Sequence, residues 1–187
     1  MVQELIIKSD SCETESLHQI QILGVTVHVK TNDHLGEGGN VWTAVQELAA
    51  LLAESEIDFK TKRILELGGG PGALSLALAM RGAYVTCTDA PWVTGLTRQN
   101  AASDLNKGLI EAAGGTISVV DYIWGRESQS PVDKTPDIIL ACECVYQLTS
   151  GGLHEIFGLD TAPTGGPLLE SIRRLCGPET TLFLANR

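Results

Sequence analysis

Residues 64–72 read Ile-Leu-Glu-Leu-Gly-Gly-Gly-Pro-Gly, and the strand-like run at residues 84–88 is followed by the acid Asp89. The first run predicts a buried strand, the glycines predict a tight turn, and Pro71 suits the first turn of a helix. A strand, a glycine-rich turn, a helix and a second strand form the first half of a nucleotide-binding βαβ unit. The stretch therefore predicts a site for a nucleoside-containing cofactor.

The residues of this turn have separate expected roles in the cofactor site. Glycine lets a ligand approach bare backbone, and the start of the helix adds free N–H groups and the positive end of a dipole. Asp89 stands at the carboxyl end of its strand, where it is placed to accept hydrogen bonds from two ribose hydroxyls. The glycines predicted to contact the cofactor are Gly68, Gly69, Gly70 and Gly72.

Two cofactors fit the spacing of the glycines. The pattern Gly-x-Gly-x-x-Ala, from Gly68 to Ala73, matches the dinucleotide fingerprint. The pattern Glu-x-Gly-x-Gly-x-Gly, from Glu66 to Gly72, matches the S-adenosylmethionine loop. The carboxylate of Glu66 would repel a pyrophosphate but not a methionine amino group, and Pro71 removes one N–H that a pyrophosphate could use. Both features favour S-adenosylmethionine, and a nicotinamide dinucleotide is the alternative.

Composition excludes some classes of function. The chain has 187 residues and a net charge of −10, which predicts a single domain and disfavours binding to a nucleic-acid backbone. An acidic chain is compatible with a basic peptide or protein as substrate. No apolar run reaches the length of a membrane span, and the first residues do not form a signal peptide, so we expect no membrane association.

The cysteines and histidines indicate a reducing compartment and no metal site. The five cysteines are odd in number and three lie in apolar, strand-like runs, where buried thiols are common. No pair of histidines has the spacing of metal ligands. We therefore expect a cytoplasmic protein, with the nucleus as the second choice, and no bound metal.

The periodicity of the other segments completes a single α/β domain. Residues 1–40 form a β extension and a loop, and residues 41–187 form the cofactor-binding core. The extension contains predicted antiparallel strands at residues 4–8 and 18–30, with Gly24 as a turn or bulge, and a glycine-rich loop at residues 33–40. A helix follows, for which Asn40 is the expected N-cap. The further predicted elements are helices at 71–81 and 94–105, strands at 116–120 and 138–144, a helix from Pro167, and a strand at 180–185.

Five strands alternating with helices predict a Rossmann-like, doubly wound parallel sheet with strand order 3-2-1-4-5. Ligands of such sheets bind where the order reverses, outside the carboxyl ends of strands 1 and 4. Gly68 follows strand 1 and Glu143 lies at the end of strand 4. We therefore expect both residues to face one crevice.

At this point the sequence resembles the seven-β-strand methyltransferases, and most specifically the family 16 protein-lysine methyltransferases, which carry an acid-x-x-Tyr motif after strand 4. The resemblance extends over nearly the whole chain from about Ile20. It implies S-adenosylmethionine as cofactor and a lysine-bearing protein as substrate. The motifs that carry it are residues 66–72, Asp89, Trp124-Gly125, Glu143-x-x-Tyr146, and Trp42 with the glycine loop before it.

The resemblance also implies the roles of individual residues. Glu143 and Tyr146 are the candidate catalytic pair, because a carboxylate and a phenol can position a lysine amine and help its proton leave. Trp124 is expected to cover the adenine face, and Trp42 and Cys142 complete the predicted cofactor site.

Three differences from the family pattern lead to further expectations. The acid of the acid-x-x-Tyr motif is usually Asp, and here it is Glu143. Residues 147–166 are expected to be an insertion that shapes access of the methyl acceptor. The final helix and β-hairpin of the family are absent, so we expect an exposed edge at residues 181–184 through which chains could associate. A module that binds cofactor or partners without catalysis is the alternative function.

Overall fold

The computed structural model describes residues 3–4, 15–126, 130–145 and 165–186. Its first sheet is antiparallel, with order β1-β2-β3, and is built from β1 (Gln3–Glu4), β2 (Glu15–Ile22) and β3 (Val25–Asn32). Leu23 and Gly24, with φ of 51° and 76°, form the two-residue turn between β2 and β3, so Gly24 lies in a turn as expected. Of the strand predicted at residues 4–8, only Glu4 is among the described residues.

The N-terminal sheet belongs to the same hydrophobic core as the rest of the domain. Polar and apolar residues alternate along β2 and β3, so each strand presents one apolar face. Ile20, Ile22, Val27 and Val29 are buried in one cluster with the helix that follows the glycine turn. The extension is therefore a layer of the domain.

The segment predicted as a loop at residues 33–40 is instead a 3-10 segment, Asp33–Gly39, kinked at Gly36. The carboxamide oxygen of Asn32 accepts from the backbone N–H of His34 at 2.9 Å and caps its start. Helix α1 (Ala44–Glu54) begins after Thr43, so the predicted N-cap at Asn40 was wrong. Asn40 has an extended backbone because it ends the 3-10 segment.

The second sheet is parallel and contains β4 (Arg63–Leu67), β5 (Tyr84–Asp89), β6 (Thr116–Asp121), β7 (Ile138–Cys142) and β8 (Thr181–Ala185). Its order β6-β5-β4-β7-β8 confirms the predicted 3-2-1-4-5 topology. Leu67, at the end of β4, pairs with Ala141 of β7 on one side and with Thr88 of β5 on the other. The carboxyl ends of three neighbouring strands therefore meet at the glycine turn.

The helix predicted at residues 94–105 is two helices. Ser103 has an extended backbone, and its hydroxyl accepts from the N–H of Asn106, so it starts a new helix as an N-cap. Gly72, with φ of 87°, delays the helix after the glycine turn to Ala73. The helices after α1 are α2 (Ala73–Ala79), α3 (Thr94–Ala102), α4 (Asp104–Ala113) and α5 (Gly165–Leu175).

Alternate residues of the central strands fill two separate cores. Ile64 faces α1, α2 and the N-terminal sheet, whereas Leu65 and Leu67 face α5. This packing of helices on both faces is the doubly wound arrangement. None of the helices in the described ranges is long and apolar enough to cross a membrane.

Strand β8 lies at one edge of the sheet that the described residues form. Phe183 packs toward the core, whereas Leu182 and Leu184, on the opposite face, are 41% and 52% exposed. The association expected at this strand stays a prediction.

Candidate active site

The glycine turn after β4 has a backbone shape that side chains rarely allow. Gly68 and Gly70 have φ of 71° and 54°. The N–H groups of Gly68 and Gly69 both donate to the carbonyl of Thr88, at 2.9 and 3.0 Å, which ties the turn to β5. The four predicted glycines therefore lie together, at the point where the strand order reverses.

Asp89 closes this turn from the end of β5. One carboxylate oxygen accepts from the N–H of Gly70 at 2.8 Å, and the other accepts from the N–H of Ala90 at 2.7 Å. Burial raises the pKa of Asp89 to about 6, although both hydrogen bonds act to lower it. Each oxygen keeps a second lone pair, so the predicted contact with ribose hydroxyls is geometrically open and stays a prediction.

Glu66 lies beneath the turn, on the α2 side of the sheet. It is 3% exposed, and one of its oxygens accepts from the hydroxyl of Ser75. Burial, and to a smaller extent the charge of Asp89, raise the pKa of Glu66 to about 7. A Cβ on Gly69 would clash with the thiol of Cys87 and lie 3.2 Å from the Glu66 carboxylate. Glu66 is therefore covered by the turn, and its predicted contact with the cofactor stays a prediction.

Trp124 and Cys144 lie against Gly68 from the other side. A Cβ on Gly68 would lie 2.7 Å from Cys144 Sγ and 2.9 Å from Trp124 Cζ2. The thiol of Cys144 donates to the carbonyl of Leu67 at 3.1 Å. The half-buried indole of Trp124 therefore lies at the turn, and its predicted contact with the adenine face stays a prediction. The site prediction had missed Cys144, although it lies inside the acid-x-x-Tyr motif.

Cys142 is the last residue of β7, and Glu143 follows it. The strand therefore ends two residues earlier than predicted. Glu143 has φ of 53°, which stops the strand, and its N–H donates to the carbonyl of Ala185 at 2.8 Å. Burial, followed by the charges of Glu66 and Glu143, raises the pKa of Cys142 to about 12, so its thiol stays protonated at neutral pH. Glu143 thus lies at the same sheet edge as the glycine turn.

The other half of the predicted catalytic pair, Tyr146, lies outside the described residues. The same holds for most of the predicted insertion at residues 147–166, of which only Gly165 and Gly166 are described, at the start of α5. The roles of both stay predictions.

Trp42 lies between the 3-10 segment and α1, and its predicted contact with the cofactor stays a prediction. Its indole N–H donates to the carbonyl of Glu37 at 3.0 Å, and the side chain is 43% exposed. The carbonyls of Gly38 and Asn40 lie 3.3 and 3.6 Å from the Cβ position of Gly70. The 3-10 segment therefore rests directly on the glycine turn. The feature of the sequence that could have indicated this contact is the pair Gly38-Gly39 at the end of the segment.

Asp121, at the end of β6, is engaged with α3. Its Oδ1 accepts from the hydroxyl of Thr94 and from the guanidinium of Arg98, both at 2.6 Å. The Thr94 hydrogen bond, then that of Arg98, lowers the pKa of Asp121. Across the described ranges, no three His, Cys, Asp or Glu side chains are grouped as a metal site requires.

The sequence matches known proteins over most of its length. Residues 23–153 match the family model described as lysine methyltransferase. The chain is 28% identical over 165 residues to EEF1A lysine methyltransferase 3 of Xenopus tropicalis, covering 88% of this chain and 63% of that protein. It is also 28% identical over 153 residues to protein N-lysine methyltransferase METTL21A of Danio rerio, covering 82% of this chain and 62% of that protein. The chain thus spans less than two thirds of the length of these relatives.

Among solved structures, the fold is similar to the 16S rRNA N2 G1207 methyltransferase of T. Thermophilus, in complex with AdoMet and guanosine. The TM-score is 0.63 at 21% identity, covering 91% of this chain and 42% of that chain. At this identity the likeness shows the fold alone.

Proposed function

The chain belongs to the lysine methyltransferase family, and from this premise we propose that it binds S-adenosylmethionine at the glycine turn and methylates a lysine side chain of a protein. The observation that carries the proposal is the grouping of three features at one sheet edge. These are the glycine turn, the acid Asp89 that closes it, and the indole of Trp124 against Gly68.

The charges around the turn suit S-adenosylmethionine better than a dinucleotide. Two carboxyl groups, Glu66 and Asp89, lie beside the turn and interact electrostatically with each other. A pyrophosphate at the turn would lie close to both acids, whereas the charge of these acids attracts a methionine ammonium and Asp89 can accept from ribose hydroxyls. When bound, S-adenosylmethionine supplies an electrophilic methyl group on a cationic sulfonium, which an acidic site also favours.

The protein must then hold a neutral lysine amine in line with that methyl group. A free lysine side chain has a pKa of about 10.4, so the site has to favour loss of its proton. Glu143 lies where β7 ends, beside the turn, where its carboxylate can orient the amine and accept a hydrogen bond from it. The residue is one methylene longer than the Asp usual at this motif, so its carboxylate has a longer reach from the backbone.

A protein substrate is supported by the names of the relatives and by charge. Both relatives are named as methyltransferases that act on lysine. The net charge of −10 favours approach of a basic surface and disfavours a nucleic acid. We propose a lysine within a basic protein segment as the acceptor.

Transfer of a radiolabelled methyl group tests the proposal. The purified chain is incubated with labelled S-adenosylmethionine and a cell extract whose own methyltransferases are heat-inactivated, and labelled bands are treated to identify methyl-lysine. We expect label on lysine in a small number of proteins. Binding of S-adenosylmethionine without transfer would instead support a non-catalytic module, and binding of a nicotinamide dinucleotide alone would overturn the cofactor assignment.

A matched pair of variants separates catalysis from charge. We expect Glu143→Gln to lower transfer by about a hundredfold or more, because a positioned side chain that assists proton transfer contributes on that order. Glu179→Gln removes the same charge from an exposed turn before β8 and should leave transfer unchanged. Equal activity of both variants would remove Glu143 from the mechanism.

A further inference from the structure

Two asparagines are buried between the N-terminal sheet and the helices α3 and α4. Asn100 on α3 is 2% exposed and Asn106 on α4 is fully buried. A buried carboxamide is costly unless its oxygen and nitrogen both find hydrogen-bond partners. Their partners therefore explain why amides occupy these positions.

Both amides bind the backbone of β3 at the edge away from β2. Asn100 accepts from the N–H of Lys30 at 2.8 Å and donates to the carbonyl of Lys30 at 2.9 Å. Asn106 makes the same pair of bonds to His28, at 3.1 and 2.7 Å. Backbone groups of alternate residues point to the same edge of a strand, so the two amides act as a substitute for a neighbouring strand.

The two asparagines differ in their third hydrogen bond. Asn100 also donates to the carbonyl of Pro71, in the glycine turn, at 2.9 Å. Asn106 instead donates to the backbone carbonyl of Asn100 at 2.8 Å. Among these two, Asn100 alone connects β3 to the turn that forms the proposed cofactor site.

The Pro71 carbonyl lies at a part of the turn that needs external support. Its neighbours Gly70 and Gly72 both have positive φ, and glycine gives the backbone access to many other conformations. One helical turn before Asn100, the hydroxyl of Thr97 donates to the carbonyl of Gly70 at 2.6 Å. Helix α3 thus holds two consecutive carbonyls of the turn.

We propose that Asn100 is a positioning residue for the cofactor, whose amide ties the Pro71 carbonyl to β3 and so holds the glycine turn in its binding shape. The role in cofactor binding rests on the proposed function, whereas the effect on the turn does not. A turn that is already ordered loses less conformational entropy when a ligand binds. The N-terminal sheet thereby contributes to cofactor affinity without touching the cofactor.

Hydrogen exchange of the free protein tests the positioning directly. Exchange is followed by mass spectrometry on peptides that cover residues 68–76, in the parent chain, in Asn100→Ala and in Asn106→Ala. Both variants lose a bidentate contact to β3, so they are matched in their effect on that strand. The urea concentration is adjusted so that the two variants have the same global stability. We then expect the amide exchange rate in the turn to be at least about tenfold higher in Asn100→Ala than in Asn106→Ala.

Calorimetric titration with S-adenosylmethionine supplies the functional measurement. We expect Asn100→Ala to raise the Kd about tenfold, and Asn106→Ala to change it by less than about twofold at matched stability. If Asn100→Ala does not fold, Asn100→Leu, which has nearly the shape of asparagine and no hydrogen-bonding group, fills the buried position and should show the same increase in exchange.

The outcomes separate the two proposals. Equal acceleration of exchange by the Asn100 and Asn106 variants would overturn the positioning role. If the parent chain does not bind S-adenosylmethionine, the proposed function is overturned. If exchange in the turn is still raised only by the Asn100 variants, the effect of Asn100 on the turn is nevertheless established.

Discussion

Replacing Glu66 with glutamine should make the free protein more stable at pH 8, by an amount that decreases as the pH is lowered to 5.5. Glu66 is 3% exposed under the glycine turn, where a charged carboxylate is poorly solvated. Glutamine has the same shape and no charge, and its carbonyl oxygen can still accept the hydrogen bond from Ser75. The substitution therefore removes the ionisation of Glu66 and little else.

The magnitude follows from the pKa of Glu66, which burial raises from 4.5 to about 7. Between these values the unfolded chain has lost the proton and the folded chain still carries it, so the unfolding free energy falls as pH rises. The slope is about 1.4 kcal/mol per pH unit, which gives a loss of about 3 kcal/mol across the whole window. Above pH 7 the loss is complete. We therefore expect Glu66→Gln to be more stable than the parent chain by about 1–3 kcal/mol at pH 8.

The assay is urea denaturation followed by circular dichroism, at intervals from pH 5.5 to pH 8. This range stays above the isoelectric point of about 4.8, where a protein without net charge tends to precipitate. The matched control is Glu179→Gln, which removes a charge from an exposed turn and should track the parent chain at every pH.

The pH dependence carries the test. A Glu66→Gln protein that is less stable than the parent chain at pH 8 would refute the assignment of a raised pKa to Glu66. A stability difference that stays constant from pH 5.5 to pH 8 would also refute it, because the effect would then come from packing and not from ionisation.

Two further predictions concern the turn itself. Asp89→Asn should raise the Kd for S-adenosylmethionine by about tenfold to a hundredfold in calorimetry, because a charge-assisted acceptor is lost; an unchanged Kd would remove Asp89 from the site. Gly68→Ala should lower the unfolding free energy by about 2 kcal/mol in urea denaturation, since its φ is 71° and its Cβ would meet Cys144 and Trp124. The matched control Gly95→Ala, in α3 with nothing within 4 Å, should raise it by about 0.5 kcal/mol, and equal effects at both positions would contradict the argument.

The resemblance to a methyltransferase family, inferred from short motifs, is confirmed by the match of residues 23–153 to that family. These motifs could be interpreted because each combines residue types whose chemistry is local. Glycines impose a backbone shape, an acid follows a strand, and a tryptophan precedes a glycine. The catalytic roles of Glu143 and Tyr146, by contrast, depend on a substrate and stay predictions.

The sequence interpretation was wrong where the side chain of one residue can support two different backbone conformations. Helical periodicity continues past Ser103, yet its hydroxyl caps a new helix there. Asn40 has the chemistry of an N-cap but ends the 3-10 segment, and the helix begins after Thr43. In both cases the side chain can satisfy either backbone arrangement, so neighbouring contacts decide between them.

The sequence by itself determined most of the elements, the parallel sheet and its order, because these follow from hydrophobic periodicity, turn chemistry and the handedness of crossovers. It also determined that Gly68 and Glu143 end neighbouring strands. Tertiary structure alone decided that Glu66 lies buried against Ser75 and that the 3-10 segment rests on Gly70. It alone joined Asn100 to Lys30, seventy residues away along the chain. Such contacts carry no local pattern, because they depend on which faces meet when separate elements pack into one core.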